Sequence, residues 1–254
     1  MQTGEKSPDT TKSKDKFKTM KEGLFMETNR KTARIAGLLF LLMVVAGLFA
    51  ELFFRQKLVA TDAATTAQNI LNNPMLLRAG VLSDIVMSLS YLFTALALYR
   101  LLRSVDRDLA SLMVLFAAAG SVILLVNTLF EFLPLVLVNL PAGALSAEQL
   151  QELAQIGFVA NANGYMIGQV FFALWVLPLG LLICRSKFIP KVFGILFLIE
   201  TVCGLLAVAA YFLLGGGAVV DALLTPCTVA EFALLAFLLI RGVNTPKKTT
   251  TVTA

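Results

Sequence analysis

The sequence predicts an all-α fold, a polytopic membrane helix bundle of six transmembrane helices with two short amphipathic helices in its outer loops. Three observations predict it. The stretch from Ile35 to Phe54, IAGLLFLLMVVAGLFAELFF, is twenty residues long with one charge, Glu51. As a helix it spans about 30 Å, the thickness of a bilayer's hydrocarbon core. Over all 254 residues, 58% are hydrophobic and 15% charged, with a mean hydropathy of +0.83, whereas a soluble domain carries about 25% charge. Further apolar runs follow, too long and too evenly apolar for barrel strands. Lipid offers backbone groups no partner, so such runs cross it as helices.

Residues 1–29 are polar and rich in lysine (Lys6, Lys12, Lys14, Lys16, Lys18, Lys21). Such a segment buries too little apolar surface to order itself, and a disordered cytoplasmic tail is expected. Met26, directly before ETNRKTARIAG, is a candidate start beside Met1. A signal peptide would need a shorter basic region and a small residue where Leu48 stands, so the first helix is expected to remain in the protein.

The membrane domain is expected over 30–242. After Phe54 an outer loop holds a short helix near Asp62 to Leu71, started by Asp62 or by the Thr65 to Gln68 pair and stopped before Pro74. The second span runs from about Leu77 to Tyr99 and the third from about Leu112 to Val138. Ser146 and Gln149 then have capping-box spacing, flanked by Leu145 and Leu150 as a hydrophobic staple, which predicts an amphipathic helix at the surface. The fourth span covers Phe158 to Cys184, the fifth Val192 to Leu214 and the sixth Ala222 to Ile240, with Gly215 to Gly217 as a tight turn between the last two. Residues 243–254 form a second polar tail. Glu51 and Glu131 each precede an outer helix and a span ending in Arg-Ser, a pattern readable as a duplicated two-span unit or as shared composition.

Nine Lys and Arg residues flank the first span on its N-terminal side. Each basic loop (Arg100, Arg103, Arg107 and Arg185, Lys187, Lys191) and the C-terminal end hold three more, against Arg55, Lys57 and Arg78 on the opposite side. The positive-inside rule therefore places both termini in the cytoplasm. Basic residues at helix ends and tails set orientation, and nucleic-acid binding is not expected despite a net charge of +5.

With no histidine in the chain, Ser-His and Cys-His nucleophiles, zincin sites and histidine proton relays are excluded. Cys184, Cys203 and Cys227 are unclustered and read as reduced packing thiols; no metal site and no cofactor are expected. Asp84 and Asp221 lack the YD and GxGD contexts of a paired-aspartate intramembrane protease, and no lysine lies within a span to serve a serine. Catalytic residues are not assigned, and an intramembrane enzyme is the third reading.

Chemistry is expected instead at the acids. One near the bilayer centre costs about 2.5 to 3.5 kcal/mol, so each needs a partner, a proton or a wet cavity. Glu51, Asp84, Glu131 and Asp221 fall towards the outer face, whereas Glu200 and Glu231 lie near the middle with no Lys or Arg at their depth. Helical spacing sets polar stripes on the spans: Asp84, Ser88, Tyr91; Asn127, Glu131, Pro134; Asn161, Tyr165, Gly168; Glu200, Gly204, Ala207; Asp221, Thr225, Thr228. Their convergence would form an outward-opening acidic cavity with Arg78 as the positive partner of an outer acid. The candidate binding residues are thus Glu51, Asp84, Glu131, Asn161, Glu200, Glu231 and Arg78. They suit a small polar or cationic ligand, or protons. The competing readings are acids that only tie helices together and an accessory or scaffold protein with a membrane partner. Ala160, Gly164 and Gly168 form a small-residue seam, within the monomer or between copies in a homo-oligomer.

From Arg30 to about Gly242 the chain resembles a bacterial and archaeal membrane family known as domain of unknown function 4386. The resemblance rests on NRKTARIAGLLFLL, DAATTAQNIL with LLRAGVLSD, ALYRLLRSVDRDLA, ALSAEQLQ, and FFALWVLPLGLLICRSKFIPKVFGIL, in that order and spacing. It implies a six- or seven-span protein of the prokaryotic plasma membrane and brings no reaction, ligand or catalytic residue with it.

Overall fold

The computed structural model describes residues 10–137, 140–141 and 143–243, with side chains from Asn29 onward. All its regular structure is helical, and six helices are long and apolar enough to cross a membrane. The chain is a multi-pass membrane protein, and the exposed faces of its spans are Leu, Ile, Val and Phe, such as Leu38, Val45, Leu115, Leu129 and Val202. Such a belt belongs against lipid tails.

Helix α1 (Thr10–Leu48) includes the first span. Its backbone is helical upstream of Asn29, within the stretch whose composition predicts disorder; residues 1–9 and 244–254 of the two expected tails lie outside the described residues. At its other end α1 passes without a break into a π-helical segment, Phe49–Arg55, and a last α turn, Gln56–Leu58. In an α-helix, twelve residues at 100° each would carry Leu58 about 120° around the axis from Ala46. The wider π turns remove most of that drift, and Ala46, Ala50, Phe54 and Leu58 are all buried on one face.

Helix α2 (Ala63–Asn72) is the expected outer-loop helix, capped by Asp62, whose Oδ1 accepts from the Thr65 amide at 2.8 Å. It packs Thr66 and Ile70 inward and is tied to both neighbours. Asn69 Nδ2 donates to Leu58 O at 3.3 Å, and Gln155 Nε2 donates to Ala60 O at 3.2 Å. Helices α3 (Pro74–Leu102) and α4 (Arg107–Leu137) form the second and third spans. Pro74 starts α3 where its missing N–H costs nothing.

Helix α5 (Ala147–Arg185) differs from expectation. The capping box is there, with Gln149 N donating to Ser146 Oγ at 3.2 Å and Ser146 N to Gln149 Oε1 at 2.8 Å. The helix it starts is not a separate surface element: 39 residues run unbroken into the fourth span. No proline interrupts Ala147 to Val176, and Ala154, Gly157 and Phe158 are buried across the expected boundary. At about 58 Å, α5 outreaches the hydrocarbon core, and its first turns project beside α2.

Helices α6 (Lys191–Leu214) and α7 (Ala218–Ile240) complete the six. Gly215, Gly216 and Gly217 join them at φ of 81°, 87° and 92°, a left-handed run that any side chain would strain. The spans close a ring, α1 on α3, α3 on α4, α4 on α5, α5 on α6, α6 on α7, and α7 back on α1. Aromatics fill its middle: Tyr91 of α3 stacks on Phe172 of α5 at 4.4 Å and meets the edge of Trp175 at 5.2 Å. Glycines let helices approach closely. A Cβ on Gly180 would lie 2.9 Å from Gly194 O, and one on Gly168 would lie 3.1 Å from Leu124. The seam of Gly164 and Gly168 thus packs α5 against α4 inside the monomer.

Candidate acidic site

Arg55 organises the outer end of the bundle. The π segment and the turn after it lengthen the first span past Phe54, bringing the guanidinium beside α3 and α4. Its Nη2 lies 2.6 Å from both Asp84 Oδ2 and Glu131 Oε1, its Nε donates to Glu131 Oε1 at 2.9 Å, and its Nη1 lies 3.6 Å from Glu51 Oε2. Asp84 and Glu131 are buried, whereas Glu51 stays exposed. Phe54, beneath the guanidinium at 5.7 Å, lies flat against Gly80, where a Cβ would run into the ring.

The donors of Arg55 do not satisfy the acids around it. Asp84 Oδ1 and Glu131 Oε2 are inaccessible and have no hydrogen-bond partner in the protein. One guanidinium faces two buried carboxylates and a third exposed one. Beside it opens a crevice of about 10 Å³, lined by Arg55, Asp84, Ser88, Asn127, Thr128, Asn161 and Tyr165 among others, room for about one water.

Asn127 and Asn161 form the floor through a reciprocal pair: Asn127 Nδ2 donates to Asn161 O at 2.9 Å and Asn161 Nδ2 to Asn127 O at 3.2 Å. Asn127 Oδ1 is left buried and unpartnered. It sits against Gly164, where a Cβ would collide with it. Hydroxyls above the floor are committed to backbone carbonyls: Ser88 Oγ donates to Asp84 O at 2.8 Å and Thr128 Oγ1 to Leu125 O at 2.7 Å. Ser121 Oγ donates in turn to Ser88 O at 2.7 Å, binding α4 to α3 beneath the site.

Of the candidates read from sequence, Glu51, Asp84, Glu131 and Asn161 come together here. Glu200 and Glu231 do not; they form a separate cluster between α6 and α7. Cys227 Sγ donates to Glu200 O at 3.7 Å, Glu231 follows one helical turn after Cys227, and the two acids are near enough for their charges to interact. Glu200 is buried and its Oε2 is unpartnered.

Two expectations are corrected. Arg78 is exposed and makes no ion pair among the described residues; its place is taken by Arg55. On a helix starting at Pro74, position 78 lies on a different face from Asp84, 600° further along or about 120° away around the axis. The stripe Asp221, Thr225, Thr228 is exposed rather than turned inward, and α7 instead buries Val220, Cys227, Ala230 and Leu234. Thr225 and Thr228 satisfy their hydroxyls on carbonyls one turn back. Arg55 itself was legible as a partner only through its i, i+4 spacing from Glu51.

A family model described as domain of unknown function (DUF4386) matches residues 35–242, from the first span to the end of the last. No curated protein and no solved structure matches the chain.

Proposed function

The chain belongs to the DUF4386 family, and from that premise we propose that this six-span protein is non-enzymatic and handles a small cationic solute or protons at its acidic site. One observation carries the reading: a single guanidinium serves Asp84 and Glu131, and each keeps a buried oxygen without a partner. Buried carboxylates without full compensation are costly. A helix tie would be built more cheaply from Gln or Ser, so the retained charge points to a ligand that brings positive charge.

The same reading places the protein in a prokaryotic plasma membrane with both termini cytoplasmic. Support comes from the basic loops at one end of the bundle, where Arg185 Nη1 pairs with Asp106 Oδ2 at 2.6 Å, while Arg55 lies at the other end of the same spans. The site then opens outward. Asn161 contributes through the Asn127 pair, and Glu200 and Glu231 offer a second acidic position in the bundle.

Proteoliposomes test the reading. Wild-type protein is expected to carry proton or alkali-cation flux down an imposed gradient, and Asp84→Asn and Glu131→Gln are expected to reduce it at least tenfold while remaining folded. Flux in wild type no faster than in protein-free vesicles would overturn it and favour an accessory role, to be pursued through co-purifying membrane partners.

A further inference from the structure

Resting on the reading just given, we propose that the solute of the acidic site is a proton: Asp84 and Glu131 form a dyad that holds one proton between them at neutral pH, with Arg55 as its fixed counter-charge. The contacts of Arg55, the buried oxygens it leaves over and the unequal access of the two acids lead to that assignment.

Arg55 Nη2 lies 2.6 Å from Asp84 Oδ2 and 2.6 Å from Glu131 Oε1, so the two carboxyls meet on one nitrogen and come within hydrogen-bond reach of each other. Both are buried, at 3% and 0% exposure. Two carboxylates this close and out of water do not both ionise against a single guanidinium, and one proton brings the buried group of three to neutrality. Glu51 stands in solvent and is answered there.

Hydrogen bonding points the same way. An ionised carboxylate can only accept. Asp84 Oδ1 and Glu131 Oε2 are inaccessible and have no partner in the protein. The neighbouring donors are engaged elsewhere: Ser88 and Thr128 give their hydroxyl protons to Asp84 O and Leu125 O, and Asn127 Nδ2 donates to Asn161 O. A proton on either acid supplies the missing donor, an O–H of one carboxyl to an oxygen of the other.

The two acids differ in access. Asp84 lines the crevice, which has room for about one water, and Glu131 does not. Asp84 is therefore the member that exchanges with water, and Glu131 is reached through it. On uptake a hydronium in the crevice gives its proton to an Asp84 oxygen, and the O–H so formed donates to Glu131. Release is the reverse, and no other bond changes. The other charged and titratable groups around the dyad are Arg55 and Glu51 from the first span, Tyr165 from α5, and Glu231 of α7, whose charge reaches Tyr165.

The test is the infrared spectrum of the full chain in detergent, read at the carbonyl stretch that a protonated carboxyl has and a carboxylate lacks. Wild type at pH 7 is expected to show a band from the dyad that shifts in D2O and is lost on alkaline titration. Asp84→Asn and Glu131→Gln each leave one carboxylate to Arg55, so each should lose that same band, and the double variant should lose no more than either. Bands of other protonated carboxyls cancel in the difference spectra. No difference between wild type and either variant, or a band lost in one variant and kept in the other, would overturn the proposal. If a variant does not fold, wild type labelled with 13C at its aspartate carboxyls decides, because Asp84 is the one buried aspartate among the described residues. A band that the label moves supports the sharing, and a band that it leaves in place overturns it. In proteoliposomes, proton flux is expected at the same rate in NaCl and in N-methyl-D-glucamine chloride. Sodium or potassium flux with no dyad band would overturn the proposal yet leave the acidic-site reading standing, with a metal cation as the solute; absence of both band and flux would end both.

Discussion

Arg55 shows how much a single side chain can decide in a low-dielectric interior. Removing one partner of a buried ion pair leaves the other charge uncompensated, a loss of about 3 to 5 kcal/mol. Arg55→Met is therefore expected to destabilise the protein by about that amount in detergent unfolding, because Asp84 and Glu131 both depend on it. Arg78→Met, at an exposed position, is expected to stay within about 0.5 kcal/mol of wild type. Equal effects of the two substitutions would mean that Arg55 is not the counter-charge of the site. Asn127 was visible in the sequence as a polar residue on an apolar span, but its pairing with Asn161 and the seat of its carbonyl oxygen against Gly164 appear only in the packed bundle.

Among the elements, the first span and α2 act together. The π segment keeps Ala50, Phe54 and Leu58 on the buried face, and α2 closes over that end through Ile70 and Asn69. Its N-terminus depends on Asp62, whose carboxyl the Thr65 amide holds below its ordinary value of 3.8. A carboxylate with a lowered folded pKa contributes fully above its unfolded value and is lost as pH falls through the folded one. Hydrogen exchange at the Thr65 amide should thus be slow and pH-independent in protection above about pH 3.8, with protection lost on further acidification. Asp62→Asn should retain the cap, since Asn caps comparably, and lose the acid-induced opening. Acid opening that persists in Asp62→Asn would assign it to another group. The merging of the outer amphipathic helix into α5 belongs to the same scale. The capping box was readable as a start, but nothing local marked a stop, and helix continued because Ala154, Gly157 and Phe158 all pack inward.

At the scale of the molecule, the ring of six helices separates a basic end, clamped by Arg185 and Asp106, from an acidic end organised by Arg55. The expected orientation follows from that separation and from the positive-inside rule. With Cys184, Cys203 and Cys227 replaced, a single cysteine at Gly143 is expected to react with a membrane-impermeant maleimide added outside intact cells. One at Ser104 should react only after permeabilisation. The reverse pattern would invert the protein and turn the acidic site towards the cytoplasm.

Helix count, the loop helix with Asp62 as one of its two possible starts, the basic loops and most of the inward acids could be read along the chain, because lipid constrains each span separately and caps are local. Which cation answers the outer acids, whether α5 is one helix or two, and which face α7 turns inward were decided only in three dimensions. The length of α5 depends on Ala154, Gly157 and Phe158 finding partners in neighbouring helices, and the other two outcomes on the rotation of one helix against another. That rotation is set by the π segment that ends at Arg55 and the left-handed glycine turn before α7, and a periodicity of 3.6 residues does not carry across either.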